Sequence, residues 1–277
     1  MKRHRYRVAG GSSIISYKST MAWSESGSVC DLNGKVALVT GGSRGLGKAI
    51  VLELATAGAD VAFCYLQDAK AAQAVAATVE NKVGRRPFFV QADITIREDR
   101  ARLVTETSRR LGRLDILVNN AGTRKDGLAV QMGEAWDRVI ELDVTAPFRL
   151  TQLALKVMLK QSWGRIINIG SVASRIGLSG QANYTAAKAA LEGLTRSLAQ
   201  EYGKRGITVN TVSPGFLETD LTEDASAYAR KYVEEHAALH RFATPEAVAS
   251  VVAFVASDRA WAVTGQTINV DCGLVKL

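Results

Sequence analysis

The stretch that most constrains this chain is residues 35–47, Lys-Val-Ala-Leu-Val-Thr-Gly-Gly-Ser-Arg-Gly-Leu-Gly. Residues 36–39 form an unbroken apolar run, as a parallel strand needs when both of its faces are covered. Gly41, Gly45 and Gly47 follow it. Glycine lets a backbone turn sharply and approach a ligand closely, and a helix beginning near Gly45 aims its unpaired N–H groups at an anion. A dinucleotide pyrophosphate fits such a turn. Glycine-rich strand-to-helix turns also occur without any ligand, so the remainder of the chain has to decide.

From Asn33 onward, apolar runs alternate with helical patterns. Leu46, Ile50, Leu54 and Ala57 recur at helical spacing, with Gly58 where a C-cap belongs. Strands are expected at 61–65, 88–92, 115–118, 165–169, 207–212 and 266–270, and an alanine-rich helix at 69–81. With the run at 36–39 that makes seven strands, each separated from the next by a helix-sized segment. Strands alternating with helices pair in parallel through right-handed crossovers, so the expected fold is α/β: a doubly wound, seven-stranded parallel Rossmann sheet that binds ligands at the carboxyl ends of its strands.

Composition narrows the function classes. The 277 residues, 47% of them hydrophobic, suit one large domain over residues 34–277. Cys30, Cys64 and Cys272 are far apart and odd in number, which argues against a disulfide framework or a zinc site and suits a reducing compartment. The net charge of +8 resembles a nucleic-acid signal until it is located. Lys2, Arg3, Arg5, Arg7 and Lys18 precede the first acid, and from Met21 onward 30 basic residues face 27 acidic ones. No basic stripe stands out in that remainder, so no nucleic-acid partner is expected. Residues 1–33 read as a flexible extension in a cytoplasmic protein, with an organelle transit peptide as the less favoured reading. No run approaches the ~20 apolar residues of a membrane span.

Five motifs then appear in order: Thr40-Gly41-x3-Gly45-x-Gly47, Asn119-Asn120-Ala121-Gly122, Ser171, Tyr184-x3-Lys188 and Pro214-Gly215. Together they resemble a short-chain dehydrogenase/reductase, over Asn33 to the C-terminus. Within that family, the glycine loop, Gly-Gln-Ala-Asn-Tyr-Thr-Ala-Ala-Lys and Pro-Gly-Phe-Leu-Glu-Thr-Asp look most like the β-ketoacyl carrier-protein reductases. The resemblance implies a cofactor-binding set of Gly41, Ser43, Arg44, Gly45, Leu46, Gly47, Tyr65, Asp93, Ile94, Asn120, Ala121, Gly122, Tyr184, Lys188, Pro214, Gly215, Phe216 and Thr219. In it Asp93 matches an adenine-binding aspartate, Asn120 shapes the backbone near the adenosine ribose, and Thr219 matches the residue that bonds the nicotinamide carboxamide.

The chemistry can be argued from the residues themselves. Tyr184 and Lys188 are four apart and share one helix face. A phenol titrates near ~10 in water, and a neighbouring ammonium favours the phenolate, so lysine can activate tyrosine for proton transfer. Ser171, just past the fifth strand, would hold the same carbonyl oxygen by a hydrogen bond. Each residue alone suits an ordinary structural part; the three together point to catalysis. No acid stands at the tip of the second strand, Cys64-Tyr65-Leu66-Gln67, and Arg44 in the glycine loop could reach a 2′-phosphate, so NADPH is the expected cofactor. Asp68, just beyond, suits a helix N-cap.

Two positions depart from the family pattern. Asp143, in Glu-Leu-Asp-Val, stands where the family usually has an asparagine serving a proton relay. Aspartate is tolerable there if the position acts through its backbone carbonyl, which is the expectation, and Asp143 is counted with Ser171, Tyr184 and Lys188 in the catalytic set. Of two basic positions that the resemblance places beside the active-site entrance, Arg205 is kept and Ser162 replaces the other, which would weaken attraction to an acidic carrier protein. A helical substrate flap is expected over about 217–242, with 177–183 as the opposing wall. The resemblance further implies a homotetramer built on helices around 143–160 and 184–202. The expected activity is NADPH-dependent reduction of a β-keto acyl thioester carried by carrier protein or coenzyme A. The alternatives are an alcohol, sugar or polyketide dehydrogenase, or a weakly catalytic dinucleotide-binding subunit.

Overall fold

The computed structural model describes residues 30–217 and 226–276, with 226–229 followed in the backbone alone. Seven strands form one sheet in the order β3-β2-β1-β4-β5-β6-β7, every pairing parallel. They are β1 (Val36–Val39), β2 (Asp60–Tyr65), β3 (Phe88–Gln91), β4 (Ile116–Asn119), β5 (Gly164–Ile169), β6 (Ile207–Pro214) and β7 (Thr267–Val270). The expected strands are all present. Their ends move by one residue, except that β6 runs two further, to Pro214.

Alternation along the strands explains why those runs are apolar throughout. Ala37, Val39, Val61, Phe63, Ile116 and Val118 enter one core, under α1 (Gly45–Thr56), α2 (Ala69–Val83) and a C-terminal helix at Pro245–Ala256. Leu38, Ala62, Cys64, Leu117 and Ile166 point the other way, into a core under α3 (Arg97–Leu111), a helix at Ala146–Gln161 and a helix at Ala182–Tyr202. Successive side chains of a strand face opposite ways, so two covered faces demand a continuous apolar run. In chain order the remaining helices are α4 (Gly133–Ile140), α5 (Ala146–Gln161), the short α6 (Ala173–Ile176), α7 (Ala182–Tyr202), α8 (Ser226–His236) and α9 (Pro245–Ala256). A π-helical turn, Glu141–Thr145, joins α4 to α5.

Local chemistry sets the helix ends. Asp68 Oδ1 accepts a 2.8 Å bond from Ala71 N and caps α2, which Gly84 ends in the left-handed region at φ 72°. The body of the domain reaches further back than residue 34, because Leu32 is fully buried and its N–H bonds Ala57 O at 2.8 Å. Most of the expected extension, residues 1–29, lies outside the described residues. Among the described residues, no helix is long and apolar enough to cross a membrane.

Charge at the amino ends of the strands is structural. Asp115 is fully buried just before β4. Its Oδ2 accepts bonds from Val36 N at 2.9 Å and Arg113 Nε at 2.6 Å, and its Oδ1 from Arg113 Nη2 at 2.8 Å. The carboxylate therefore satisfies the first amide of β1 from the neighbouring strand. Removing it strands that amide, and Asp115→Ala is expected to lose about 1–3 kcal/mol of stability in urea denaturation. A loss below about 0.5 kcal/mol would mean that the amide had found another partner.

Candidate active site

The sheet reverses direction of growth between β1 and β4, and ligands bind such folds at the carboxyl ends of the strands beside that switch. The glycine loop follows β1 there. Gly41 and Gly45 have φ of 66° and 50°, and α1 begins at Gly45. A Cβ on Gly47 would collide with the Gly41 carbonyl oxygen and come within 2.7 Å of Asn120 Nδ2. One on Gly42 would reach Phe63 Cβ at 2.6 Å and its ring at 2.8 Å. Only a chain without side chains at these points folds this tightly, and it leaves the first amides of α1 facing outward for an anion. Ser43 and Leu46 are half-buried in the loop, and the exposed Arg44 guanidinium has no ion pair among the described residues.

Asn120 and Thr40 brace this cradle. Asn120 Nδ2 donates to the carbonyls of Thr40 and Gly41 at 2.8 and 3.2 Å. Thr40 Oγ1 accepts from the amides of Asn120 and Ala121 at 3.0 and 2.9 Å. At the end of β2, Tyr65 is half-buried with its ring 6.3 Å from that of Phe89, and Leu66 is 48% exposed. Cys64 lies wholly buried beneath, its thiol pushed up to about 11 chiefly by that burial, so it stays protonated and inert. Past β3, Asp93 Oδ1 closes a turn onto the amide and hydroxyl of Thr95 at 2.9 and 2.7 Å, which leaves its other oxygen for a ligand. Ile94 packs its side chain into the core, so only its backbone can face a cofactor.

The catalytic candidates meet beside this cradle. Tyr184 and Lys188 lie one turn apart on α7, and the Lys188 ammonium stands 5.3 Å from the centre of the Tyr184 ring. Lys188 Nζ donates to Ile169 O, the last carbonyl of β5, at 3.1 Å. Its counter-charge is Asp143, with Oδ2 3.0 Å from Nζ. The approach is off the direction of an aligned hydrogen bond, so it is foremost an ion pair. Burial alone would lower the lysine, but Asp143 and then Tyr184 outweigh it and hold Lys188 above its ordinary value. Asp143 is itself fully buried; its Oδ1 accepts from Thr123 N at 2.9 Å, and a Cβ on Gly122 would come within 2.7 Å of its Oδ2. The π-helical turn carries this carboxylate, and such turns recur at functional sites.

Ser171 lies two residues past β5, half-buried, and its Oγ accepts a 3.2 Å bond from Ala173 N. A hydroxyl that accepts there keeps its own proton free to donate. Asn183, before Tyr184, is fully buried and donates to the carbonyls of Lys125 and Ala135 at 3.0 and 3.2 Å, while Gly127 N bonds Gly180 O at 2.8 Å. These contacts tie the expected wall at 177–183 to the loop after β4. Across from it, Gly215 N bonds Val270 O at 3.0 Å, Pro214 O accepts from Val172 N at 3.0 Å, and Phe216 meets Tyr232 edge to face at 6.0 Å.

Several expectations need correction. Position 143, expected to act through its backbone carbonyl, also reaches Lys188 with its side chain, because the buried ammonium draws the carboxylate inward. Ser162 and Arg205 were expected beside the entrance. Ser162 instead ends α5 just before β5, and Arg205 closes the turn just before β6, so within the chain both lie at the amino ends of the strands, opposite the site. Of the flap expected over about 217–242, the described part is helical as α8, Ser226–His236, and runs on as turns to 242, while 218–225 lie outside the described residues. Thr219 lies outside the described residues, as do Glu218, Leu221, Glu223 and Asp224. Reading the sequence missed the bracing by Thr40 and Asn183 and the buried Glu192, whose one signal was its place eight residues after Tyr184 on the same helix stripe.

Comparison with known proteins agrees with this geometry. A family model described as "Enoyl-(Acyl carrier protein) reductase" matches residues 41–275. A 3-oxoacyl-[acyl-carrier-protein] reductase of Synechocystis sp. is 46% identical over 246 residues, which cover 88% of this chain and 98% of the relative. The enzyme of the same name from Pseudomonas aeruginosa is 43% identical over 244 residues, with 88% and 98% covered. Among solved structures, a short-chain dehydrogenase/reductase from Serratia marcescens superimposes with a TM-score of 0.83 at 39% identity, covering 88% of this chain and 98% of that one. A protein described as a short-chain alcohol dehydrogenase from Sinorhizobium meliloti gives 0.84 at 34% identity, with 88% and 97% covered. With a glycine cradle beside a lysine-backed tyrosine and relatives aligned over nearly their whole length, the chain belongs to the short-chain dehydrogenase/reductase family of oxidoreductases.

Proposed function

We propose that the protein reduces 3-oxoacyl thioesters to 3-hydroxyacyl thioesters, using NADPH and accepting the acyl group from a carrier protein. The observation that carries the reading is the cluster of Tyr184, Lys188 and Asp143 beside Ser171, at the strand ends next to the glycine cradle. The relatives named 3-oxoacyl-[acyl-carrier-protein] reductases support the substrate class. The cofactor fits what is present: a cradle that any Cβ on Gly47 would fill, a helix N-terminus for the pyrophosphate, an Arg44 in the glycine loop unpaired among the described residues, and no acid at the tip of β2, where NAD-dependent members place one. A homotetrameric, cytoplasmic enzyme is part of the same proposal.

The residues divide the work. When bound, NADPH supplies hydride to the carbonyl carbon. Tyr184 gives its proton to the carbonyl oxygen, so that hydride and proton together convert the ketone to an alcohol. Ser171 donates its free hydroxyl proton to the same oxygen and holds the developing charge. Lys188 has three N–H groups; Ile169 O takes one and Asp143 draws another, leaving the third for a further acceptor. Asp143 keeps that ammonium charged and fixed. Asn120, Thr40 and Gly47 keep the cradle narrow, while Asn183 and Gly180 hold the substrate wall.

The decisive assay follows loss of reduced-nicotinamide absorbance with acetoacetyl thioester, with crotonyl thioester as a separate substrate. Oxidation of NADPH by the keto thioester alone, abolished in Tyr184→Phe, is the expected outcome. Turnover of the crotonyl thioester in its place would move the chemistry from carbonyl to carbon–carbon double bond. Arg44→Ala should raise the KM for NADPH about tenfold and leave that for NADH unchanged, the loss of one charge-assisted phosphate contact; equal effects on both cofactors would refute the phosphate role.

Asp143→Ala leaves a buried ammonium without its counter-charge, and about 3–5 kcal/mol of stability should go with it. Because the folded value of Lys188 is raised, the contribution of the pair is fully present below the ordinary lysine value of ~10.4 and fades only as pH rises through the higher folded value. The parent's pair contribution should therefore be flat from about pH 6 to 9 in urea titrations, whereas the variant, in which burial lowers the unpaired lysine, should regain stability as pH rises and that lysine sheds its proton, so the difference narrows towards high pH. A difference that widens as pH rises would contradict the ion-pair assignment.

A further inference from the structure

Glu192 is a buried charge that the chemistry above does not use. Its side chain is 7% exposed, on the stripe of α7 that carries Tyr184 and Lys188 at successive four-residue steps. Glu192 Oε2 accepts from Arg175 Nη2 at 2.8 Å and Nε at 3.0 Å, a two-pronged grip on α6. Glu192 Oε1 lies 2.6 Å from Ser174 Oγ, and the same hydroxyl lies 2.7 Å from Ser171 O. The hydroxyl thus stands between the carboxylate and the backbone of Ser171, whose carbonyl also accepts from Ser174 N at 3.1 Å.

We infer that Glu192 is a positioning residue for Ser171. One helix face grips the segment after β5 at two points: Lys188 takes the carbonyl of Ile169 on one side of Ser171, and Glu192 takes Ser174 and Arg175 on the other. Ser171 sits between those grips. Its Oγ leans on Ala173 N, in the short helix that Glu192 anchors, so a shift of α6 moves the hydroxyl. That short helix has four residues and is followed by Gly177 in the left-handed region at φ 63°, so its own hydrogen bonds do little to fix it. The same α7 that carries the proton donor therefore also sets the distance to the group that holds the oxyanion, and a small misplacement there lowers the rate sharply.

The inference rests on the proposed reduction for its kinetic test and has a second test that needs no substrate. In a double-mutant cycle on acetoacetyl thioester, Glu192→Ala should lower kcat about tenfold with Ser171 present and less than about twofold in a Ser171→Ala background, with the KM for NADPH unchanged in both. An equal loss in both backgrounds would make Glu192 a merely structural part and overturn the inference. Glu192→Gln keeps one acceptor oxygen for Arg175 and turns an amide N–H towards Ser174 Oγ, which can accept it while donating to Ser171 O, so this variant should restore a part of kcat. Ser174→Ala removes only the bridging hydroxyl and should reproduce a part of the loss; full activity in that variant would break the argued path. Independently, amide hydrogen exchange across 171–176 should quicken about tenfold in Glu192→Ala while that of β5 stays unchanged. Unchanged exchange across 171–176 refutes the grip, whereas a parent enzyme inactive on the thioester refutes the substrate reading and leaves the exchange result to decide.

Discussion

The arrangement of the site depends on one of the buried cations, Lys188. Lys188 sits 6% exposed against the end of β5, and an ammonium in such a place must find a counter-charge and acceptors or lose its proton. Ile169 O and Asp143 meet that demand, and each answer constrains a different element. The carbonyl fixes α7 against the central strand. The carboxylate requires the π-helical turn to bulge inward, Gly122 to lack a side chain, and Thr123 to present its amide. Thus the loop after β4, the α4–α5 junction and the middle of α7 are held to one point by electrostatics, and Tyr184 is carried to the same point by helical spacing alone.

An aspartate at this position changes the character of the site. A neutral amide would leave Lys188 as a net positive centre; the carboxylate makes lysine and aspartate a neutral pair at the heart of the pocket. In the proposed reading, attraction for the anionic cofactor then comes from elsewhere, from the amides at the start of α1 and from Arg44. That division agrees with the geometry of the glycine loop, where Gly41, Gly45 and Gly47 give the backbone its close approach and Arg44 remains unpaired among the described residues.

The fold was legible because a parallel sheet covered on both faces writes itself as unbroken apolar runs, and each run was bounded by glycine or polar residues. The glycine loop and the Tyr184–Lys188 spacing were legible for the same reason: both are local. What was not legible depends on distance across the chain. Asp143 was visible as an unusual residue, but its side chain faces Lys188 only because a π-helical turn, which has no clear mark in Glu-Leu-Asp-Val-Thr, turns it inward. Glu192 carries no mark beyond its helical spacing from Lys188, and only the fold brings Arg175 and Ser174 against it. Ser162 and Arg205 could have been placed correctly from the sequence, since each immediately precedes a strand and so must lie at that strand's amino end.

The two ends of the sheet handle polarity in opposite ways. At the amino ends, charges are paired and stacked: Asp115 with Arg113, Arg165 with Asp258, and Trp163 between Lys35 and Arg165 at 3.7 and 4.2 Å from its ring centre. Most of the described buried side-chain atoms without an aligned partner lie towards the carboxyl ends, namely Asn119 Oδ1, Asp143 Oδ2, Ser213 Oγ, Asn269 Oδ1 and, beside Tyr184, Thr185 Oγ1; Ser108 Oγ and Arg165 Nε lie elsewhere. Each such group costs free energy in the folded chain, so their excess at one end agrees with a site shaped for a ligand. The paired charges at the far end hold the strands in register and give the sheet the rigidity against which those unpaired groups keep their positions.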